Sequence, residues 1–174
     1  MGVSLLTMDD LPTRLSIWLA LALFAAAQLR RRQPGTPTGS ASVWLSAFGL
    51  LVFVCHVVLA FEFHYDWDHA TALAETAAQT EALTGVSTGS GLYLNYLFGL
   101  VWLAELYWWN KSTGRHTNRA AWTERAVRSF FLFMIVNGAV VFVDAPRRWL
   151  GMVVVSVLLY AWRPSTRTGQ NQAA

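Results

Sequence analysis

An almost continuous apolar stretch from Val43 to Phe63 restricts the folds open to this chain, and it is interrupted mainly by Cys55, His56 and Glu62. A helix of about 20 mostly apolar residues crosses the hydrocarbon layer of a bilayer. Four further apolar blocks occur in the 174 residues, separated by short polar segments. The sequence therefore predicts an all-α polytopic membrane helix bundle.

We expect five transmembrane helices within a single domain at residues 1–163, spanning about 11–29, 43–63, 92–109, 127–143 and 149–162. The last block is short, and four spans result if it lies on the membrane surface. Residues 66–84 are good helix formers but too polar to face lipid, so they predict an extracytoplasmic helix ending near Gly85. Residues 164–174 are expected to form a disordered tail. Acidic residues precede the first block and arginines follow it, the reverse of a signal peptide, so this block is expected to be a retained span.

Composition supports membrane placement over nucleic-acid binding. Charged residues make up 13% of the chain, against about 25% in an ordinary soluble domain. The nine tryptophans favour bilayer interfaces. The formal charge of +3 comes from basic residues at block ends, with no basic stripe that would follow a phosphate backbone. We expect membrane lipid as a partner, with a homo-oligomer or a larger membrane complex left open, and no nucleic acid.

The distribution of basic residues predicts the orientation. Alternating spans place ten cationic residues on the cytoplasmic side and three outside, as the positive-inside rule requires. The cytoplasmic set is Arg30, Arg31, Arg32, Lys111, Arg115, Arg119, Arg125, Arg128, Arg163 and Arg167, and the outer set is Arg14, Arg147 and Arg148. The N-terminus is then outside and the C-terminus cytoplasmic, in a multi-pass inner (cytoplasmic) membrane protein.

Histidines and carboxylates concentrate near the outer end of the second span. If the helix continues beyond the membrane, a rotation of about 100° per residue places His56, His64, Asp68 and Glu75 on one polar stripe, with His69 roughly opposite. Imidazole and carboxylate ligands suit zinc, iron, manganese or copper. The sequence predicts a transition-metal site at His56, His64, Asp68, His69 and Glu75. Alternatively, Asp66 and Asp68 cap a helix start, while His64 and His69 are interfacial residues.

A haem site is the lesser alternative. His56 and His69 are 13 residues apart, a separation similar to that in membrane b-type haem proteins, but a second helix carrying another such pair is missing. The fourth histidine, His116, falls in a predicted cytoplasmic loop. Haem would therefore require a dimer or a different axial ligand.

Three polar residues are predicted inside the spans. His56 lies about 10 Å inward from Phe63, and Asn137 lies at a similar depth as its expected partner. Ionisable groups at such depth are costly and point to function. Glu105 lies close to the inner interface, where it is expected to reach toward Lys111 or water.

These residues leave three functions open, and the sequence does not decide whether the protein is an enzyme. The first is a membrane protein that binds a transition metal through the outer His and carboxylate cluster. The second is a non-catalytic subunit or assembly factor of a larger membrane complex. The third is a small transporter or proton pathway through His56, Asn137 and Glu105.

Overall fold

The computed structural model describes residues 10–32, 40–111 and 119–163, and all regular structure in these ranges is helical. The helices are α1 (Asp10–Arg32), α2 (Ser40–His64), α3 (His69–Thr84), α4 (Ser90–Lys111), α5 (Ala121–Val136) and α6 (Arg148–Ala161). A π-helical turn at Asn137–Val141, here called the π segment, continues α5. The all-α prediction is confirmed. The predicted tail at 164–174 and His116 lie outside the described residues.

Contacts between helix ends show that α1, α2, α4, α5 and α6 alternate in direction. Arg119, just before α5, pairs with Glu105 near the end of α4, and Trp162, just after α6, bonds to Gln28 near the end of α1. Thr13 near the start of α1 meets His56 in the second half of α2, so these helices are antiparallel. Arg31 at the end of α1 stacks over Trp109 at the end of α4, with 3.8 Å to the ring centre. α3 packs on the beginning of α4, at the opposite end of the bundle. We call these two ends the arginine end and the α3 end.

Aromatic rings from four helices fill the centre of the bundle. Phe24 lies 4.8 Å from Trp102 and 4.9 Å from Phe131, measured between ring centres. Phe98 lies 5.1 Å from Phe53 and 5.4 Å from Phe131. Edge-on and tilted aromatic pairs at these distances are favourable beyond the area they bury. This cluster therefore links α1, α2, α4 and α5.

Small residues let α1 and α2 approach closely, and these two helices form the most extensive contact in the bundle. Ala20 and Ala27 are completely buried. A Cβ atom at Gly49 would lie 3.0 Å from the Trp102 ring and 3.2 Å from Leu23 Cβ, so a larger residue would require these neighbours to shift by a few tenths of an ångström. The Trp102 indole donates a buried 2.9 Å hydrogen bond to Ser46 Oγ, which satisfies both polar groups.

Within residues 10–32, 40–111 and 119–163, two helical segments are long and apolar enough to cross a membrane, Leu11–Arg32 and Ala41–His64. Arg148–Ala161 is also apolar but has 14 residues, which is shorter than a usual span. The predicted helix at 66–84 is present as α3, which begins later, at His69, and ends at Thr84. Gly85, with a φ of 74°, provides the expected left-handed C-cap. The predicted block at 127–143 differs in detail, because its α-helix changes to the π segment at Asn137.

Substituting Gly151 with alanine should destabilise the bundle. An added Cβ would lie 2.0 Å from the backbone oxygen of Ala139, so α6 would have to move away from the π segment. We expect a loss of about 1–3 kcal/mol, as for other overpacked contacts. Thermal unfolding of the detergent-solubilised protein measures it. Gly138→Ala is the control, because nothing lies within 4 Å of its added Cβ, and equal destabilisation by both substitutions would contradict this packing.

Candidate functional site

The second helix does not continue through the predicted polar stripe. α2 ends at His64, and Asp66 and Trp67 take positive φ angles of 44° and 59°. Trp67 N–H donates to the Phe61 carbonyl, and its indole donates to Glu62 Oε2 at 2.6 Å. These bonds stabilise the turn that separates α2 from α3. The prediction of one continuous helix from His56 to Glu75 is therefore wrong, and so is the shared face that it implied.

Asp68 is the N-cap of α3, which is the alternative considered for it from the sequence. Its carboxylate accepts hydrogen bonds from the backbone N–H groups of Ala70 and Thr71 at 3.2 and 3.0 Å, and from the Thr71 hydroxyl at 2.6 Å. These bonds, the Thr71 hydroxyl first, lower the pKa of Asp68 below its usual value. The lone pairs of the carboxylate are therefore used to cap the N-terminus of α3.

The other predicted metal ligands are dispersed. His64 ends α2, while His69 begins α3 and lies 6.0 Å from Tyr93 and 6.1 Å from Tyr96 between ring centres. Glu75 is exposed on α3. Within the described ranges, no three His, Cys, Asp or Glu side chains are grouped so that they could hold a metal ion. The comparison with haem proteins assumed that His56 and His69 lie on one continuous helix. They lie on different helices, so a separation of 13 residues does not predict their relative positions.

His56 bonds to α1. Its Nδ1 lies 2.8 Å from the Thr13 carbonyl oxygen and 3.3 Å from Ser16 Oγ. The sequence proposed Asn137 as its partner, and that pairing is wrong. Asn137 Nδ2 instead donates to the Phe133 carbonyl at 2.7 Å, one turn back on α5. Both residues nevertheless line one large cavity.

This cavity has a volume of about 540 Å³ and lies between α1, α2, α3, α4 and the π segment. Its deeper walls are apolar, with Ile17, Leu21, Phe53, Val57 and Phe98 among the lining residues. Polar groups enter from His56, Asn137 and the α3 side. A volume of a few hundred Å³, a largely apolar lining and a few convergent polar groups are typical of small-molecule sites.

The cavity is open at two kinds of surface. Phe133, Val141 and Phe142 line it and are also exposed on the side of the bundle. Gln79 and Asn95 line it at the α3 end and are exposed there. The cavity therefore communicates both with the apolar flank of the bundle and with its polar end.

The π segment shapes one wall of the cavity. Phe142 N–H bonds to the Asn137 carbonyl at 3.0 Å, five residues back, which widens the helix at this turn. Gly138 lies within the widened turn and faces open space. π-helical turns occur frequently at functional sites.

Tyr65 lines the cavity beside α3. Its burial, together with the nearby Glu75 carboxylate and Tyr96, raises the pKa of its phenol above the ordinary value. The phenol therefore stays protonated at neutral pH.

Glu105 lies in a second, smaller pocket of about 100 Å³ at the arginine end. Its Oε1 lies 2.5 Å from Arg119 Nη1, and its Oε2 accepts from the Trp109 indole at 3.2 Å. The expectation that Glu105 reaches toward Lys111 is thus replaced by an ion pair with Arg119. Sequence reasoning missed this ion pair, because 14 residues separate the partners. It also did not identify Thr76, Gln79 and Thr80 as cavity residues, because they resemble an ordinary polar helix face.

The chain matches no family model, and no curated protein or solved structure is significantly similar to it. Its function therefore has to be argued from the geometry of the bundle and its cavity.

The Asp68 cap can be distinguished from a metal ligand by two substitutions. Asp68→Ala should increase amide exchange at Ala70 and Thr71 several-fold, because it removes the acceptor, whereas Asp68→Asn should retain most of the protection. Hydrogen–deuterium exchange measures both. Glu81→Ala is the control, because it removes another carboxylate from α3 without removing the cap. If Asp68→Asn exposes the amides of Ala70 and Thr71 to exchange as much as Asp68→Ala does, the capping role of Asp68 is contradicted.

The same cap should weaken in acid. Because the folded-state pKa of Asp68 is lowered, its stabilising effect is present above the unfolded-state pKa of about 4 and is lost as the pH falls through the folded value. The exchange difference between the native protein and Asp68→Ala should therefore narrow in that acidic range. A difference that does not depend on pH would contradict a capping carboxylate.

Proposed function

We propose that this protein is a multi-pass membrane protein whose cavity binds an apolar small molecule taken from the bilayer. The membrane part rests on α2, the most apolar helix. Only 17% of its apolar window is buried in the bundle. The core helix of a water-soluble protein is mostly covered, whereas this helix exposes Phe48, Leu51, Val54 and Val58. Such a surface is stable in lipid.

α1 supports the same proposal. About 39% of its apolar window is buried, and Phe24 from this helix stands in the aromatic centre. A helix that supplies a central part of the core is expected to stay with the folded chain. We therefore propose it as a retained span.

The three remaining long helices complete five proposed spans. α4 has 22 residues, although its tyrosines and tryptophans lower its mean hydropathy. α5, with 16 residues, and the π segment, with five, are continuous from Ala121 to Val141. α6 covers about 21 Å at 1.5 Å per residue, and the arginines on both sides of it can extend toward the headgroups. The arginine end is proposed to face the cytoplasm and the α3 end the outside.

The cavity carries the functional part of the proposal. Its volume of about 540 Å³ and its apolar walls on α1, α2, α5 and the π segment, where His56 and Asn137 are the polar side chains, fit a lipophilic molecule with one polar group. Its opening at Phe133, Val141 and Phe142 would face the hydrocarbon layer, so the ligand would enter sideways from the membrane.

The functions expected from the sequence receive less support. The proposed metal ligands are separated by the turn at Asp66 and Trp67. A proton or solute pathway through His56, Asn137 and Glu105 would have to join two separate pockets. A role as a subunit of a larger membrane complex stays a prediction.

Cysteine labelling tests the proposed topology. In a Cys55→Ser background, Ser87→Cys at the α3 end should react with a sulfonated, membrane-impermeant maleimide on intact cells. Asn110→Cys at the arginine end should react only after permeabilisation. Labelling is read as a mass shift, and the reverse pattern, or equal labelling of both sites in intact cells, would contradict the orientation.

Filling the cavity should abolish ligand binding. N-Phenyl-1-naphthylamine serves as an apolar probe, and native mass spectrometry of the detergent-solubilised protein counts bound molecules. We expect one bound probe for the native protein and a loss of about tenfold or more in affinity for Gly138→Leu, which adds a bulky side chain at a residue that lines the cavity.

Ala104→Leu is the control for that experiment, because Ala104 is exposed on α4 and does not line the cavity. It should bind the probe as the native protein does. Absence of probe binding to the native protein, or equal binding by Gly138→Leu, would overturn the proposed ligand site.

A further inference from the structure

The hydrogen-bond donors and acceptors on the cavity walls indicate which polar group a ligand would carry. This inference rests on the proposed binding function and goes beyond it to the chemical class of the ligand. Among the residues lining the walls formed by α1, α2 and α5 with the π segment, the polar side chains are His56 and Asn137. Their bonds to the protein determine which of their atoms remain for a ligand.

The tautomer of His56 follows from its partner on α1. A backbone carbonyl can only accept a hydrogen bond, so the 2.8 Å contact with the Thr13 oxygen requires the proton on Nδ1. Ser16 Oγ donates its own proton to the same carbonyl at 2.9 Å, so toward Nδ1 it can only accept. In the neutral imidazole, Nε2 then carries a lone pair and no proton. It has no hydrogen-bond partner among the described residues.

The amide of Asn137 is oriented by the same reasoning. The Phe133 carbonyl must accept from Nδ2, at 2.7 Å. This identifies the other terminal atom as Oδ1, an acceptor without a protein partner in the described ranges. One amide proton of Nδ2 is used in the helix, and the second proton and the carbonyl oxygen are left for a ligand.

Threonines of α3 add further acceptors. The hydroxyl of Thr76 donates to the Ala72 carbonyl at 2.7 Å, and that of Thr80 donates to the Thr76 carbonyl at 2.8 Å. Both residues line the cavity, and with their protons used in the helix their oxygens present lone pairs. Besides the second amide proton of Asn137, the donors that remain belong to the α2–α3 connection, α3 and the first two turns of α4, in Tyr65, Gln79, Ser90, Asn95 and Tyr96.

We propose that the cavity selects lipophilic alcohols or phenols, whose hydroxyl proton is donated to His56 Nε2 or Asn137 Oδ1 while the apolar part fills the space beside Phe53 and Phe98. A ligand whose polar group can only accept, such as an ether, would leave these atoms without a partner. A buried acceptor left unpaired carries the desolvation cost of that group.

A matched pair of ligands tests the selection on the native protein. 4-Nonylphenol and 4-nonylanisole have the same alkyl chain and ring and differ in the hydroxyl proton. Native mass spectrometry measures both affinities in the same detergent, with ligand concentrations corrected for partition into micelles. We expect the phenol to bind about threefold to tenfold more tightly, the ratio that one net hydrogen bond provides.

Two substitutions locate the effect. His56→Phe and Asn137→Leu keep the cavity apolar and remove one acceptor each, so each should reduce the phenol-to-ether ratio toward one. The ether affinity should stay similar in His56→Phe, whereas Asn137→Leu also removes a free amide proton and is judged by the ratio. Gln79→Leu, at the exposed mouth, is the control and should keep the ratio. The two substitutions remove different helix contacts, so a folding defect in one leaves the other informative.

The outcomes separate this inference from the function on which it rests. If phenol and ether bind equally to the native protein, or the ether binds more tightly, the donor selection is wrong and the lipophilic site stands. If neither ligand nor N-phenyl-1-naphthylamine binds, the proposed function itself is wrong. A ratio that persists in both His56→Phe and Asn137→Leu would also overturn the assignment of the acceptors.

Discussion

The bundle depends on an apolar helix that the protein itself leaves largely uncovered. α2 exposes large side chains along most of its length, and each such side chain would gain about 1.5–3 kcal/mol on transfer out of water. In the proposed membrane setting, lipid covers this surface. The opposite side of α2 packs closely on α1, where Gly49 lies against Leu23.

Inside such a bundle, polar groups need partners from neighbouring helices, because hydrocarbon supplies none. Ser46 pairs with Trp102, Gln28 with Trp162, and His56 with the Thr13 carbonyl. Each of these bonds links two helices at a defined depth. In the described part of the chain, Thr13 Oγ1 is buried without a hydrogen-bond partner. His56 Nε2 and Asn137 Oδ1 also have no protein partner there, and they belong to residues on the walls of the large cavity. In this account, the same requirement that orders the bundle also marks its ligand site.

The helices and the end of α3 were predictable because they depend on local sequence. The apolar block at 43–63 predicts α2, and Gly85 predicts the end of α3 through its left-handed conformation. The predicted stripe was wrong because helical arithmetic assumes an unbroken helix. The N-cap chemistry of Asp68 and the turn at Asp66 and Trp67 override that periodicity.

The cavity and the partners of its polar groups depend on tertiary distances that residue spacing does not contain. His56 and Thr13 are 43 residues apart, and the π segment at Asn137 has no distinct sequence pattern. Sequence reasoning identified His56, Asn137 and Glu105 as noteworthy residues within apolar blocks. It could not predict that the first two would share a cavity while Glu105 would pair with Arg119.

The depth of Cys55 in a bilayer shows whether lipid covers the exposed apolar face of α2. Cys55 is exposed near the middle of α2. A nitroxide spin label on this residue, in protein reconstituted into lipid nanodiscs, reports its surroundings through collisions with oxygen and with a water-soluble nickel chelate. If α2 spans the bilayer, the label on Cys55 lies near the bilayer centre, and we expect frequent collisions with oxygen and few with the chelate. Chelate collisions as frequent as for a label at Ser87, in the α3–α4 connection, would contradict it.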